Sequence, residues 1–265
     1  MLAEQSVREG RLEEALAELQ NQVRKAPDNA EYRVFLFQLL CVLGDWERAR
    51  AQLKVLGELS PGSLPLVHVY GTAITCELLR AEVFAGARTP LILGEPLHWV
   101  ALLLQGLTEA AQGRGAAAAA LRAEALEKAN AVSGSIDGEK FDWIADADSR
   151  LGPVCEAVVD GRYYWVPFER LRSISLEAPS DLRDVVWMPA QLRLVNGGET
   201  AALIPARYPG SEADRDGLIR LSRKTEWDEV APDTFHGRGQ RMVATPAGEY
   251  ALLSVRRIEL GGPEA

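Results

Sequence analysis

The sequence predicts an α+β protein in which tandem helix pairs precede a small, mainly antiparallel, β-rich C-terminal region. Three observations predict it. Small residues recur at a fixed spacing through the first half. A stretch rich in Ser, Gly and Asp breaks the helical texture at Ala131–Lys140. Beyond it, Asp-Gly and Asn-Gly-Gly turns separate apolar runs.

The recurrence has a period of 34. Gly10 and Gly44, Ala15 and Ala49, Leu19 and Leu53, and Pro27 and Pro61 all stand 34 apart, which is the tetratricopeptide spacing. Each residue type has a reason. Glycine permits the tight turn between two helices, alanine lets the helices approach, and proline ends the second helix because it cannot donate a backbone hydrogen bond. Helix A of successive units places its close-packing position at Ala3, Phe37, Gly71 and Gly106, with Phe37 a large departure. The last unit turns at Gly113 and packs through Ala118. The third is poorest, with Leu78 at the turn and room only for a short second helix before Thr89-Pro90.

Within the units, Leu36, Leu39, Leu40 and Leu43 follow the i, i+3, i+4, i+7 helical pattern, and Trp46, Ala49, Leu53 and Leu56 keep a similar spacing. Asp28-Asn29 and Asp45 stand where helix caps belong. The expected organisation is a repeat domain over residues 1–132, a linker at 133–140 and a β-rich domain over 141–265.

In that second region Asp160-Gly161 joins Val154–Val159 to Arg162–Val166, a strong two-residue hairpin signal. Asn196-Gly197-Gly198 joins Gln191–Val195 to Thr200–Ile204. Pro246-Ala247-Gly248 joins Arg241–Thr245 to Glu249–Ile258. Leu171–Leu176 alternates as a strand, and Ser211–Arg223 reads as a short capped helix.

Composition narrows the function. The net charge is −9 and no basic stripe exists, so a nucleic-acid partner is not expected. Cys41, Cys76 and Cys155 lie far apart with no CxxC spacing, which argues against a disulfide framework or a zinc site and fits a reducing cytoplasm. The N-terminus lacks the apolar core of a signal peptide. The longest strongly apolar stretch, near Val100–Leu104, is far too short to span a membrane.

Candidate chemistry is sparse. His68, His98 and His236 have no metal-ligand spacing, and no Gly-x-Ser-x-Gly elbow occurs. Asp146-Ala147-Asp148 fails the calcium-loop pattern at Arg150, Leu151 and Ala157. It reads better as a turn whose carboxylates bond backbone N–H groups or Arg150. Gly113-Arg114-Gly115 lacks the Lys-Ser/Thr of a phosphate loop and reads as a repeat turn. On the strand Tyr163-Tyr164-Trp165, Tyr163 and Trp165 share a face. Core packing is the main expectation for them and for Trp143, Trp187 and Trp227, with partner anchoring as the alternative. No catalytic residue, metal or cofactor is assigned.

Longer strings carry a family resemblance: Phe141 to Pro153 (FDWIADADSRLGP), Gly161 to Phe168 (GRYYWVPF), Asp181 to Ala190 (DLRDVVWMPA), Ile204 to Ser211 (IPARYPGS) and Lys224 to Trp227 (KTEW). With the repeats before them they resemble the TagJ/ImpE family, also called SciE. The resemblance implies a cytoplasmic accessory of the type VI secretion machine. It implies binding to the small sheath subunit, through an N-terminal helix of that subunit, and a link to the ClpV-type AAA+ ATPase.

The residues themselves point to helix-in-groove recognition. Helix A lines the concave side of such repeats, which nominates Arg33, Phe37, Tyr70 and Gln105. The C-terminal region could hold the peptide instead, with Trp165 or Trp187 as anchor and Trp143, Asp146, Asp148, Arg150 and Tyr163 as further contacts. Two rivals stand beside this reading: a generic repeat scaffold or chaperone unrelated to secretion, and an enzyme built on Asp146, Asp148 and Arg150.

Overall fold

The computed structural model describes residues 2–261; Met1 and residues 262–265, the outer ends of the two expected domains, lie outside the described residues. Helices α1 (Leu2–Arg8), α2 (Leu12–Lys25), α3 (Ala30–Val42) and α4 (Trp46–Leu59) form two antiparallel pairs. Gly10 and Gly44 sit in their turns with φ of +76° and +71°, a conformation that costs other residues strain. Asn29 caps α3 by accepting from the N–H of Tyr32 at 3.0 Å, and Asp45 caps α4 from Arg48 at 3.3 Å.

The third unit departs from the repeat. Leu64–Phe84 is a single helix, α5, with no turn at Leu78. Pro65 lies in the first turn, where it is tolerated. Gly71 is a single interior glycine whose cost of about 1 kcal/mol does not stop a helix. From Thr72 to Phe84 no glycine or proline occurs, so the helix runs through Leu78. The segment after it adds β1 (Leu91–Ile92) to the sheet, parallel to β6 (Arg162–Pro167). The pairing of α6 (His98–Ala111) with α7 (Gly115–Lys128) then resumes about Gly113, at φ +75°.

The sheet comes next in the chain. Its remaining strands are β2 (Gly134–Ile136), β3 (Glu139–Phe141), β5 (Val154–Val159), β7 (Leu171–Leu176), β8 (Trp187–Leu194), β9 (Glu199–Pro205) and β14 (Arg257–Leu260), in the order β1-β6-β5-β9-β8-β7-β14-β2-β3. All neighbours but β1 and β6 are antiparallel. β4 (Ala145–Asp146) joins β12 (Met242–Thr245) and β13 (Gly248–Ala251). β10 (Thr225–Ala231) pairs with β11 (Thr234–Gly239).

Three expectations are corrected here. The linker at 133–140 instead supplies β2 and the start of β3, turning at Asp137 and Gly138 with φ of +48° and +90°. Three-residue strands are too short to show a period. Glu249–Ile258 is not one strand: β13 ends at Ala251, a 3-10 turn follows at Leu252–Ser254, and β14 enters the other sheet. Ser211–Arg223 is not one helix either. It splits into a 3-10 turn (Ser211–Ala213) and α8 (Gly217–Arg220), because the Asp216 carboxylate caps a new start at the N–H of Leu218, 2.8 Å away.

Three cores result. One side of the sheet encloses its own, including Ile136, Ile174, Leu192, Ile204 and Ile258. The other two are shared with the helices. Leu39, Leu40, Tyr70 and Ile74 pack with Val186, Trp187 and Leu221, while Val83, Trp99 and Leu103 pack with Val154, Val158, Tyr163 and Trp165.

Candidate functional site

The sequence nominates Phe37 and Tyr70 as concave liners, and the structure corrects this. Phe37 is wholly buried and Tyr70 nearly so. The concave side of the first repeats is filled by the chain's own segment from Leu182 to Trp187. Tyr70 stands between Phe37 and Trp187, with ring centroids 5.8 Å away on both sides, and Trp187 reaches Trp46 at 5.8 Å. The Arg183 guanidinium lies 5.0 Å over the Tyr70 ring. The Trp187 indole N–H donates to Glu77 at 3.0 Å.

The other nominated residues scatter. Arg33 ties α3 to its surroundings, donating to the Pro27 carbonyl at 2.6 Å and to Gln52 at 3.0 Å. Gln105 is exposed on α6 and Trp143 is 41 % exposed in a loop. Tyr163 and Trp165 are buried against the helices, with Phe84 6.0 Å from the Trp165 ring. Neither they nor Trp187 can anchor a partner, since their faces are already covered.

Asp146, Asp148 and Arg150 belong to a buried polar network. The Asp146 carboxylate accepts from the N–H of Asp148 at 2.8 Å and from Tyr208 at 3.1 Å, and it pairs with Arg241. Asp148 holds Arg150 through three bonds and also accepts from the Gly237 N–H at 2.8 Å. Carboxylates so committed have little capacity left for a substrate.

Four residues missed by sequence reasoning complete the network. Glu156 on β5 accepts from Arg80 on α5 at 2.6 and 3.0 Å, and also from Tyr163 and Arg241. Burial alone would raise the Glu156 carboxyl, but Arg80 and Arg241 together outweigh it and hold the group down at about 2. Burial pushes Asp146 up to about 6 against the pull of Arg241. Arg207 donates to the carbonyls of Val42, Cys41 and Arg220 at 2.7, 2.9 and 2.8 Å, capping the C-terminal end of α3 with positive charge. A signal did exist for one of them: Glu156 is a single charge inside an apolar run, VCEAVV, and buried charges require partners.

What stays open is a groove of about 740 Å³ at the N-terminal end. Val7 of α1, Val34 and Phe35 of α3, and Leu182 and Val185 give it an apolar floor. Glu4, Arg8, Glu31, Asp181 and Arg223 contribute charge to its walls. Among the described residues no group of three or more His, Cys, Asp or Glu could hold a metal ion, and no helix is long and apolar enough to cross a membrane.

Fold and site together define a class: a helical-repeat protein whose helices are packed against its own β-rich region, leaving a groove beside α1 and α3. Residues 6–68 match the tetratricopeptide repeat family, and residues 138–259 match the ImpE protein family. The type VI secretion system accessory component TagJ of Pseudomonas aeruginosa is 54 % identical over 266 residues, spanning 100 % of this chain and 93 % of that protein. A crystal structure of a Vibrio parahaemolyticus protein superimposes with a TM-score of 0.90 at 22 % identity, covering 99 % and 98 % of the two chains, which establishes the fold alone. The chain belongs to the TagJ/ImpE family.

Proposed function

We propose that the chain is a non-enzymatic, cytoplasmic adaptor of a type VI secretion system. In this reading it binds the N-terminal helix of the small sheath subunit and links it to the ClpV-type ATPase. The observation that carries the reading is the groove between α1, α3 and Leu182–Val185. An amphipathic helix presents an apolar stripe with charges beside it, and the groove offers an apolar floor with charged walls. The P. aeruginosa relative, by its name an accessory component of such a system, supports the same setting. The commitment of Asp146, Asp148 and Arg150 to internal bonds weighs against the enzymatic rival.

Calorimetry with a peptide of the sheath subunit's N-terminal helix tests this. Phe35→Asp places a charge on the groove floor and weakens binding by about tenfold or more, since an unpaired charge against apolar surface costs well over 1.4 kcal/mol. A melting temperature close to that of the wild type shows that the fold is kept. No detectable wild-type binding, or equal affinity in the variant, overturns the assignment and favours a generic scaffold.

A further inference from the structure

A second cavity, of about 410 Å³, lies far along the chain from the groove. Phe84, Leu103, Leu107, Ala110 and Ala111 form its apolar wall, from the end of α5 and one side of α6. Arg122 of α7, Ser149-Arg150 and His236 of β11 form the polar side. The volume is within the range of small-ligand pockets.

The charges on that polar side do not balance. Arg150 is spent: its Nε and terminal nitrogen lie 2.8 and 2.5 Å from Asp148, and its guanidinium covers the Phe84 ring at 5.0 Å. Asp148 in turn is occupied by Arg150 and by the backbone N–H groups of Arg150 and Gly237. Arg122 is half-buried. It donates to the Thr234 hydroxyl at 2.7 Å and forms no ion pair among the described residues. A guanidinium does not shed its proton, so one net positive charge faces an apolar cavity.

We propose that this cavity binds a carboxylate carried on an apolar body, with Arg122 as its charge partner. Arginine suits the role because its planar fork meets a carboxylate with two parallel bonds. The apolar wall takes the hydrocarbon part. Such a group is offered by a medium-chain fatty acid or by an apolar residue at a protein's C-terminus.

His236 reports on the site. Burial lowers its pKa first, then Arg150 and Arg122, while Asp148 and Asp228 oppose them. A carboxylate seated on Arg122 offsets the two cations and raises it. The test is NMR of the His236 ring during titration of the full chain with octanoate, with N-acetyl-leucine as the peptide-terminus arm and octylamine as the charge control. A saturable shift and a raised His236 pKa with either acid, absent with the amine, support the proposal. Saturation by octanoate alone assigns an acyl chain, and by N-acetyl-leucine alone a chain terminus. Arg122→Gln weakens binding about tenfold, the worth of one charge-assisted pair, and Arg122→Lys restores part of it. No saturable shift with either acid, equal binding of octylamine, or unchanged affinity in a folded Arg122→Gln variant overturns it.

Discussion

Replacing Glu156 by glutamine keeps the size of the side chain and removes one negative charge from the centre of the molecule. Glu156 is fully buried and receives bonds from Arg80, Arg241 and Tyr163. With the charge gone, Arg80 keeps Glu77, at 3.3 Å, as its one carboxylate and Arg241 keeps Asp146, beside their bonds to the Arg207 and Pro205 carbonyls. The amide nitrogen must also face a donor. Two routes give the magnitude. Breaking a buried pair by deleting one partner costs about 3–5 kcal/mol. The drop of the carboxyl from its ordinary 4.5 to about 2 corresponds to about 3 kcal/mol at about 1.4 kcal/mol for each tenfold change. Glu156→Gln therefore loses about 3 kcal/mol in urea unfolding at pH 7, a fall of roughly 10 °C in melting temperature for a chain of this size. The sign with pH follows from the lowered pKa. The stabilisation is complete above 4.5 and is lost as pH falls toward 2, so the wild type and the variant converge in acid. A loss below about 1 kcal/mol, or a difference between the two that does not shrink in acid, refutes the claim that this carboxylate clamps the helices to the sheet.

Asp146 behaves oppositely. Its pKa rises from 3.8 to about 6 on folding, so the folded chain holds a proton that the unfolded chain releases, and this contribution to stability declines as pH rises from about 4 to 6. In Asp146→Asn that part of the slope disappears from a stability profile measured across the window. Gly237→Ala places a methyl group in steric overlap with the edge of the Tyr208 ring and costs about 1–3 kcal/mol by overpacking, read as a lower melting temperature and faster amide exchange in β10–β11.

The sequence displays what local chemistry enforces. Gly10, Gly44 and Gly113 mark helix turns because their φ is positive, and Asp160-Gly161 marks a hairpin for the same reason. The continuity of α5 through Leu78 was not legible, since Leu78 falls at a turn position by counting alone and nothing near it stops a helix. β1 has two residues and forms only because Leu91 and Ile92 meet Tyr164 and Trp165 across the fold. The site was legible in part. Asp146, Asp148 and Arg150 form a local turn within five residues. Glu156, Arg80, Arg207 and Arg241 come from four distant segments, and only the fold assembles them. Periodicity placed Phe37 and Tyr70 on helix A, but it could not reveal that Trp187 occupies the face they line.

Helix α5 runs 21 residues without interruption, about 31 Å of rigid rod. Solenoids normally lengthen by duplicating a unit, because each contacts only its neighbours. Here an extra unit between α4 and α5 would carry Phe37 away from Tyr70 and the Cys41 and Val42 carbonyls away from Arg207. One inserted after α5 would pull α6 and α7 from their seat beside Val83. In this fold the number of helix pairs is therefore fixed by cross-chain contacts rather than free to grow by duplication.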